Sequence, residues 1–88
     1  MKNMSILVLE DEPFQRLVAG TVLRKLGVGR IREAAEGAEA LRILETFGDV
    51  DIVLCDLRMA GMDGLTFLRH ASHAGGIRSV ILSRATVH

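Results

Sequence analysis

Apolar positions along the chain fall into short clusters separated by polar turns, and their spacing changes from cluster to cluster. Ser5 to Leu9 reads as a buried strand, because its continuous apolar run Ile6 to Leu9 is the kind a parallel sheet buries on both faces. Pro13 suits the first position of a helix, with Asp11 or Glu12 near its positive end. From there Phe14, Leu17, Val18, Thr21 and Val22 recur on one helical stripe, and Gly27 is a natural stop. Gly29 to Ala34 predicts a weak second strand. Gly37 to Phe47 predicts a helix with Ala40, Leu41, Leu44 and Phe47 inward, ended by Gly48. Val50 to Asp56 predicts a third strand whose continuous apolar middle calls for cover on both faces. Gly61 and Gly64 bracket a turn, followed by a short helix with Leu65, Leu68 and Ala71 toward the sheet. Gly75-Gly76 then precedes a fourth strand, Ser79 to Ser83. The order βαβαβαβ implies a parallel sheet with right-handed crossovers, an α/β fold.

Composition narrows this without redirecting it. The chain has 88 residues, so it forms one domain at most. With three Phe and neither Trp nor Tyr, the core must be aliphatic. Eleven basic and eleven acidic residues balance, which gives no electrostatic grip on nucleic acid or an anionic membrane. The single Cys55 cannot close an internal disulfide, suits a reducing interior, and reads as a buried strand residue. The first apolar stretch is too short for a signal peptide, and no run approaches membrane-spanning length. A cytoplasmic domain is expected.

Candidate chemistry lies where apolar runs end in acids. Glu10 and Asp11 close the first run, and Asp56 closes the run Asp51-Ile52-Val53-Leu54-Cys55. Parallel sheets bind ligands outside the carboxyl ends of their strands. If these two strands are neighbours, three acidic side chains meet in one crevice, a costly arrangement unless a cation or proton joins them.

Five stretches occur in one order: Ile6-Leu7-Val8-Leu9-Glu10-Asp11-Glu12-Pro13, Glu33 to Leu41, Asp51 to Met59, Gly61-Met62-Asp63-Gly64-Leu65, and Val80-Ile81-Leu82-Ser83. In this order and spacing, over nearly the whole chain, they resemble the receiver domain of two-component response regulators. That resemblance implies a flavodoxin-like, CheY-like doubly wound sheet in three α/β/α layers. Here about four strands and three helices of the usual five and five are expected, with residues 1–88 forming a receiver incomplete at its C-terminus. It implies that Asp56 accepts a phosphoryl group from a histidine kinase or a phosphotransfer protein. It also implies Mg²⁺ held by Glu10, Asp11, Asp56 and the backbone carbonyl of Arg58, and a switch hydroxyl on Ser83 that bonds a phosphoryl oxygen. The segment Leu9 to Arg16 is similar to receivers joined to cyclic-di-GMP phosphodiesterase outputs.

Departures from the family pattern are specific. Glu10 replaces the commoner Asp, Ala60 replaces a usual Pro, and Arg84 follows Ser83 where a small residue is usual. No residue fills the place of the family's fifth-strand Lys. By the family's strand order the fourth strand is then an exposed edge, and part of the first helix is uncovered, so self-association through either is expected.

Rival readings differ in class. A receiver fold retained for phosphorylation-independent docking or dimerisation is one. An Asp-nucleophile phosphohydrolase of the haloacid dehalogenase type is another, disfavoured because Arg58 stands where its second Asp belongs. No catalysis beyond self-phosphorylation and autodephosphorylation is expected. Blander roles suit the rest: Asp11, Glu12 and Asp63 as helix starts, and Met59 and Met62 as gap fillers. His70 and His73 fit a solvated face, as do Arg16, Arg24 and Lys25.

Overall fold

The structure, a computed structural model, describes residues 3–56 and 79–83; for Asp56 and 79–83 that description is of the backbone. The helix expected after Gly64, the turn between Gly61 and Gly64, and Arg58, Met59, Met62, Asp63, His70 and His73 lie outside the described residues.

Strand β1 (Ser5–Leu9) runs through the middle of a parallel sheet. It pairs on one side with β2 (Arg30–Ala34) and on the other with β3 (Ile52–Asp56). Strand β4 (Ser79–Ser83) pairs with β3, which gives the order β2-β1-β3-β4. This is the doubly wound arrangement expected from the sequence.

All five residues of β1 are buried, and their alternation divides the core in two. Leu7 and Leu9 face the layer of helix α2 (Gly37–Thr46), packing with Ala34, Ala40, Leu44, Val50, Val53 and Cys55. Ile6 and Val8 face the layer of helix α1 (Pro13–Lys25), with Val28 and the partly buried Ala19, Leu23, Ile31, Ile52 and Leu54. Cys55 is a buried core residue, as expected.

Helix α1 begins and ends as the sequence predicts. Pro13 opens it, and Glu12 caps it by accepting the Gln15 N–H at 2.9 Å. Gly27 follows the last turn with φ 85°. Its N–H reaches the Arg24 carbonyl, and the Val28 N–H reaches that of Leu23. This paired closure requires a left-handed residue, and Val28 and Leu23 complete it by packing together.

The stripe expected on α1 is corrected. Phe14 and Leu17 are 61% and 57% exposed, and Val22 is exposed as well. The helix instead turns Ala19, Gly20 and Leu23 to the sheet. Apolar residues ring this helix, so spacing alone leaves more than one stripe open. The face that packs carries Ala19 and Leu23 against Ile6 and Val8, and Gly20 leaves room beside it for the Glu33 carboxylate. In α2, Ala40 and Leu44 are buried as expected, but Phe47 is not. Phe47 is the extended C-cap, and its ring lies under the Arg32 guanidinium, 3.6 Å from the ring centroid.

At the amino end of the strands, the Ser5 N–H donates to Asp51 Oδ2 at 3.0 Å, and the Asp51 N–H donates to the Ser5 carbonyl at 2.9 Å. Asp49 bridges Arg30 and Arg32, the latter at 3.1 Å.

Candidate phosphoacceptor site

The candidate site forms at the opposite, carboxyl end. The Glu10 N–H extends the β1–β2 ladder by one bond, donating to the Ala34 carbonyl at 3.0 Å. Glu10 is 8% exposed, and its Oε2 accepts the Glu12 N–H at 2.9 Å. Its carbonyl oxygen accepts from Arg16 Nη1 at 2.8 Å. The turn is therefore held at Glu10 through its N–H, its carboxylate and its carbonyl. Asp11, next in the turn, is exposed.

Register brings the other residues to this end. Leu9 pairs with Cys55, so Glu10 stands at the register position beside Asp56, the last residue of β3. On the other side of β3, Asp56 pairs with Ser83. The backbone thus assembles Glu10, Asp56 and Ser83 at one edge, with Asp11 one residue beyond Glu10. Arg58 lies outside the described residues. Among the described residues no cluster of three carboxylate, imidazole or thiol groups forms a cation cage. The donor chemistry nevertheless suits Mg²⁺, which takes hard carboxylate and carbonyl oxygens and keeps several waters. Glu10 and Asp11 carry such oxygens on a turn held by hydrogen bonds.

Arg16 is the residue that sequence reasoning missed. Expected on a solvated face, it is half-buried, with Nε 3.9 Å from Glu33 Oε1. The signal was in strand parity. Glu33 lies two residues from Ile31, so it projects toward α1, an unusual place for a carboxylate without a partner on that helix.

A groove of about 280 Å³ lies at the amino end, lined by Asn3, Met4, Ser5, Gly29, Arg30 and Asp49, and is separate from this site. There the Arg32 hydrogen bond, and after it that of Arg30, holds the Asp49 carboxyl below the usual carboxylate range.

Residues 6–87 match the response regulator receiver domain family, and the chain belongs to it. It is 64% identical over 83 residues to the cyclic di-GMP phosphodiesterase RocR of Pseudomonas aeruginosa, a match covering 94% of this chain and 21% of that one. The chain therefore spans about a fifth of that relative's length. The solved receiver domain of the hybrid histidine kinase CckA superposes with a TM-score of 0.75 at 32% identity, covering 93% of this chain and 87% of that one. The receiver domain of the histidine kinase CKI1 from Arabidopsis thaliana, complexed with Mg²⁺, superposes with a TM-score of 0.84 at 25% identity, covering 97% and 70%. As a receiver domain the chain works in two-component phosphorelay signalling. Among the described residues, no helix is long and apolar enough to cross a membrane.

Proposed function

We propose that Asp56 is the phosphoacceptor of this receiver, charged by a histidine kinase or a phosphotransfer protein in the cytoplasm. One observation carries the reading: Asp56 ends β3 between Ser83 on β4 and the Glu10 position beyond β1. An Asp56 carboxylate oxygen attacks the phosphorus of the donor's phosphohistidine. The P–N bond breaks, its electron pair leaves with the imidazole, and an acyl phosphate forms. A carboxylate is a weak nucleophile toward an anionic phosphoryl group, so charge neutralisation and alignment dominate. Glu10, Asp11, Asp56 and the Arg58 backbone carbonyl would hold Mg²⁺, which supplies that neutralisation when bound. Ser83 donates its hydroxyl hydrogen to a phosphoryl oxygen, so phosphorylation shifts the end of β4 and alters partner binding.

The test is intact-mass spectrometry after incubation with Mg²⁺ and acetyl phosphate. A gain of one phosphoryl group, absent in Asp56→Asn, supports the assignment. No gain on a demonstrably folded chain, or a gain that persists in Asp56→Asn, overturns it.

A second reading, self-association, is favoured by the exposed Phe14 and Leu17 on α1. Sedimentation should show a concentration-dependent dimer, weakened by Leu17→Glu. The identity to RocR supports one further part of the proposal, an output in the longer protein that turns over cyclic di-GMP.

A further inference from the structure

The turn that carries Glu10 and Asp11 is braced from helix α1 by Arg16, which reaches its backbone. Arg16 spans two elements: Nη1 donates to the Glu10 carbonyl at 2.8 Å, and Nε lies 3.9 Å from Glu33 Oε1 on β2. Arg16, Gly20 and Arg24 follow at one-turn intervals along α1. A Cβ built on Gly20 would come within 2.8 Å of Glu33 Oε2 and 3.5 Å of Arg24 Nη1. The missing side chain at position 20 is what lets the Glu33 carboxylate lie across the helix toward Arg16.

We propose that Arg16, braced by Glu33 over Gly20, is a positioning residue that fixes the Glu10–Asp11 turn for divalent cation binding. This rests on the proposed site. A planar guanidinium can address a carbonyl and a carboxylate at once, which a lysine ammonium does less well. Groups that orient metal ligands from outside typically change affinity by about 10–100-fold when removed. Charge and positioning act here with opposite sign. A cation near the site repels Mg²⁺, so loss of charge alone would tighten binding, whereas loss of the brace loosens it.

The experiment is an Mg²⁺ titration of the full chain, followed by the amide resonances of Glu10 and Asp11, which report only folded molecules. For Arg16→Ala the apparent Kd should rise about 10-fold, with partial recovery in Arg16→Lys. Gly20→Ala keeps every charge, introduces a better helix former, and displaces Glu33; its Kd should rise about 2–3-fold, within the range expected for an indirect brace. If wild type binds and both variants match it, or if Arg16→Ala binds more tightly, the positioning role is overturned while the site stands. If wild type shows no Mg²⁺-dependent shifts, the site and the brace fall together.

Discussion

The two ends of the sheet carry charge in opposite ways. At the amino end, Asp49 sits between Arg30 and Arg32, Arg32 covers the Phe47 ring, and Asp51 ties β1 to the chain entering β3. Those charges meet opposite charges or backbone N–H groups, and the cluster neutralises itself. At the carboxyl end, Glu10 and Asp56 stand at adjacent register positions with Asp11 in the turn beyond. Here three acids share one end of the sheet; the Glu10 carboxylate accepts the Glu12 N–H, and Arg16 addresses the Glu10 carbonyl and Glu33. A self-neutralised cluster is what a fold needs to hold its strand starts together. Carboxylates brought to one end of a sheet favour a cation among them, which is the role proposed above for this end. The amino end thus reads as structure and the carboxyl end as the place of exchange.

A change that hits both ends through their shared core sets the scale. Leu7 is fully buried at the middle of β1, so Leu7→Ala should cost about 2–5 kcal/mol of stability, read from urea midpoints. A smaller loss would mean that the sheet is held chiefly by its end clusters. Asp11→Asn should separate the two ends sharply. Asp11 is exposed, so stability without Mg²⁺ should stay within about 0.5 kcal/mol of wild type. The Mg²⁺ Kd should meanwhile rise about 10-fold or more, as expected for loss of a charged oxygen ligand. Unchanged affinity in this variant would remove Asp11 from the proposed ligand set.

This contrast was half legible in the sequence. The strand spans Ser5–Leu9 and Ser79–Ser83 and the start of α1 at Pro13 stand where apolar runs, proline and glycine put them. Those signals are local, and a buried parallel strand announces itself by its continuous apolar run. The carboxyl-end acids were legible for the same reason, since each terminates such a run. The inward face of α1 was not. Its apolar residues surround the helix, and what selects Ala19 and Leu23 is their packing against Ile6 and Val8, with Gly20 leaving room for Glu33, a tertiary matter. The brace from Arg16 to Glu33 was hidden likewise, because it joins residues on separate elements. The amino-end cluster also escaped notice, because Arg30, Arg32 and Asp49 converge only after β2 pairs with β1.

Changes confined to the amino end should lower stability and leave the Mg²⁺ titration unmoved. Asp51→Ala removes the acceptor of the Ser5 N–H, a part-buried bond, and should cost about 1 kcal/mol. A shifted Mg²⁺ Kd in this variant would show that the two ends are coupled through β1, which breaks the division drawn above.

The smallest expected effect is the most specific to one charge. Asp49 is held ionised chiefly by its hydrogen bond from Arg32 and then by that from Arg30, so its carboxyl titrates lower folded than unfolded. A depressed folded pKa contributes stability that is fully present above the unfolded carboxylate range, roughly pH 4, and is lost as pH falls through the folded value. Asp49→Asn removes that contribution at every pH. The gap in urea midpoint between wild type and Asp49→Asn should therefore be constant near neutrality and narrow below about pH 4. High salt should shrink it as well, because the pair with Arg30 is exposed. A gap that stays level through acid pH would mean that Asp49 acts through shape rather than charge, and the amino end would lose its claim to be electrostatically self-neutralised.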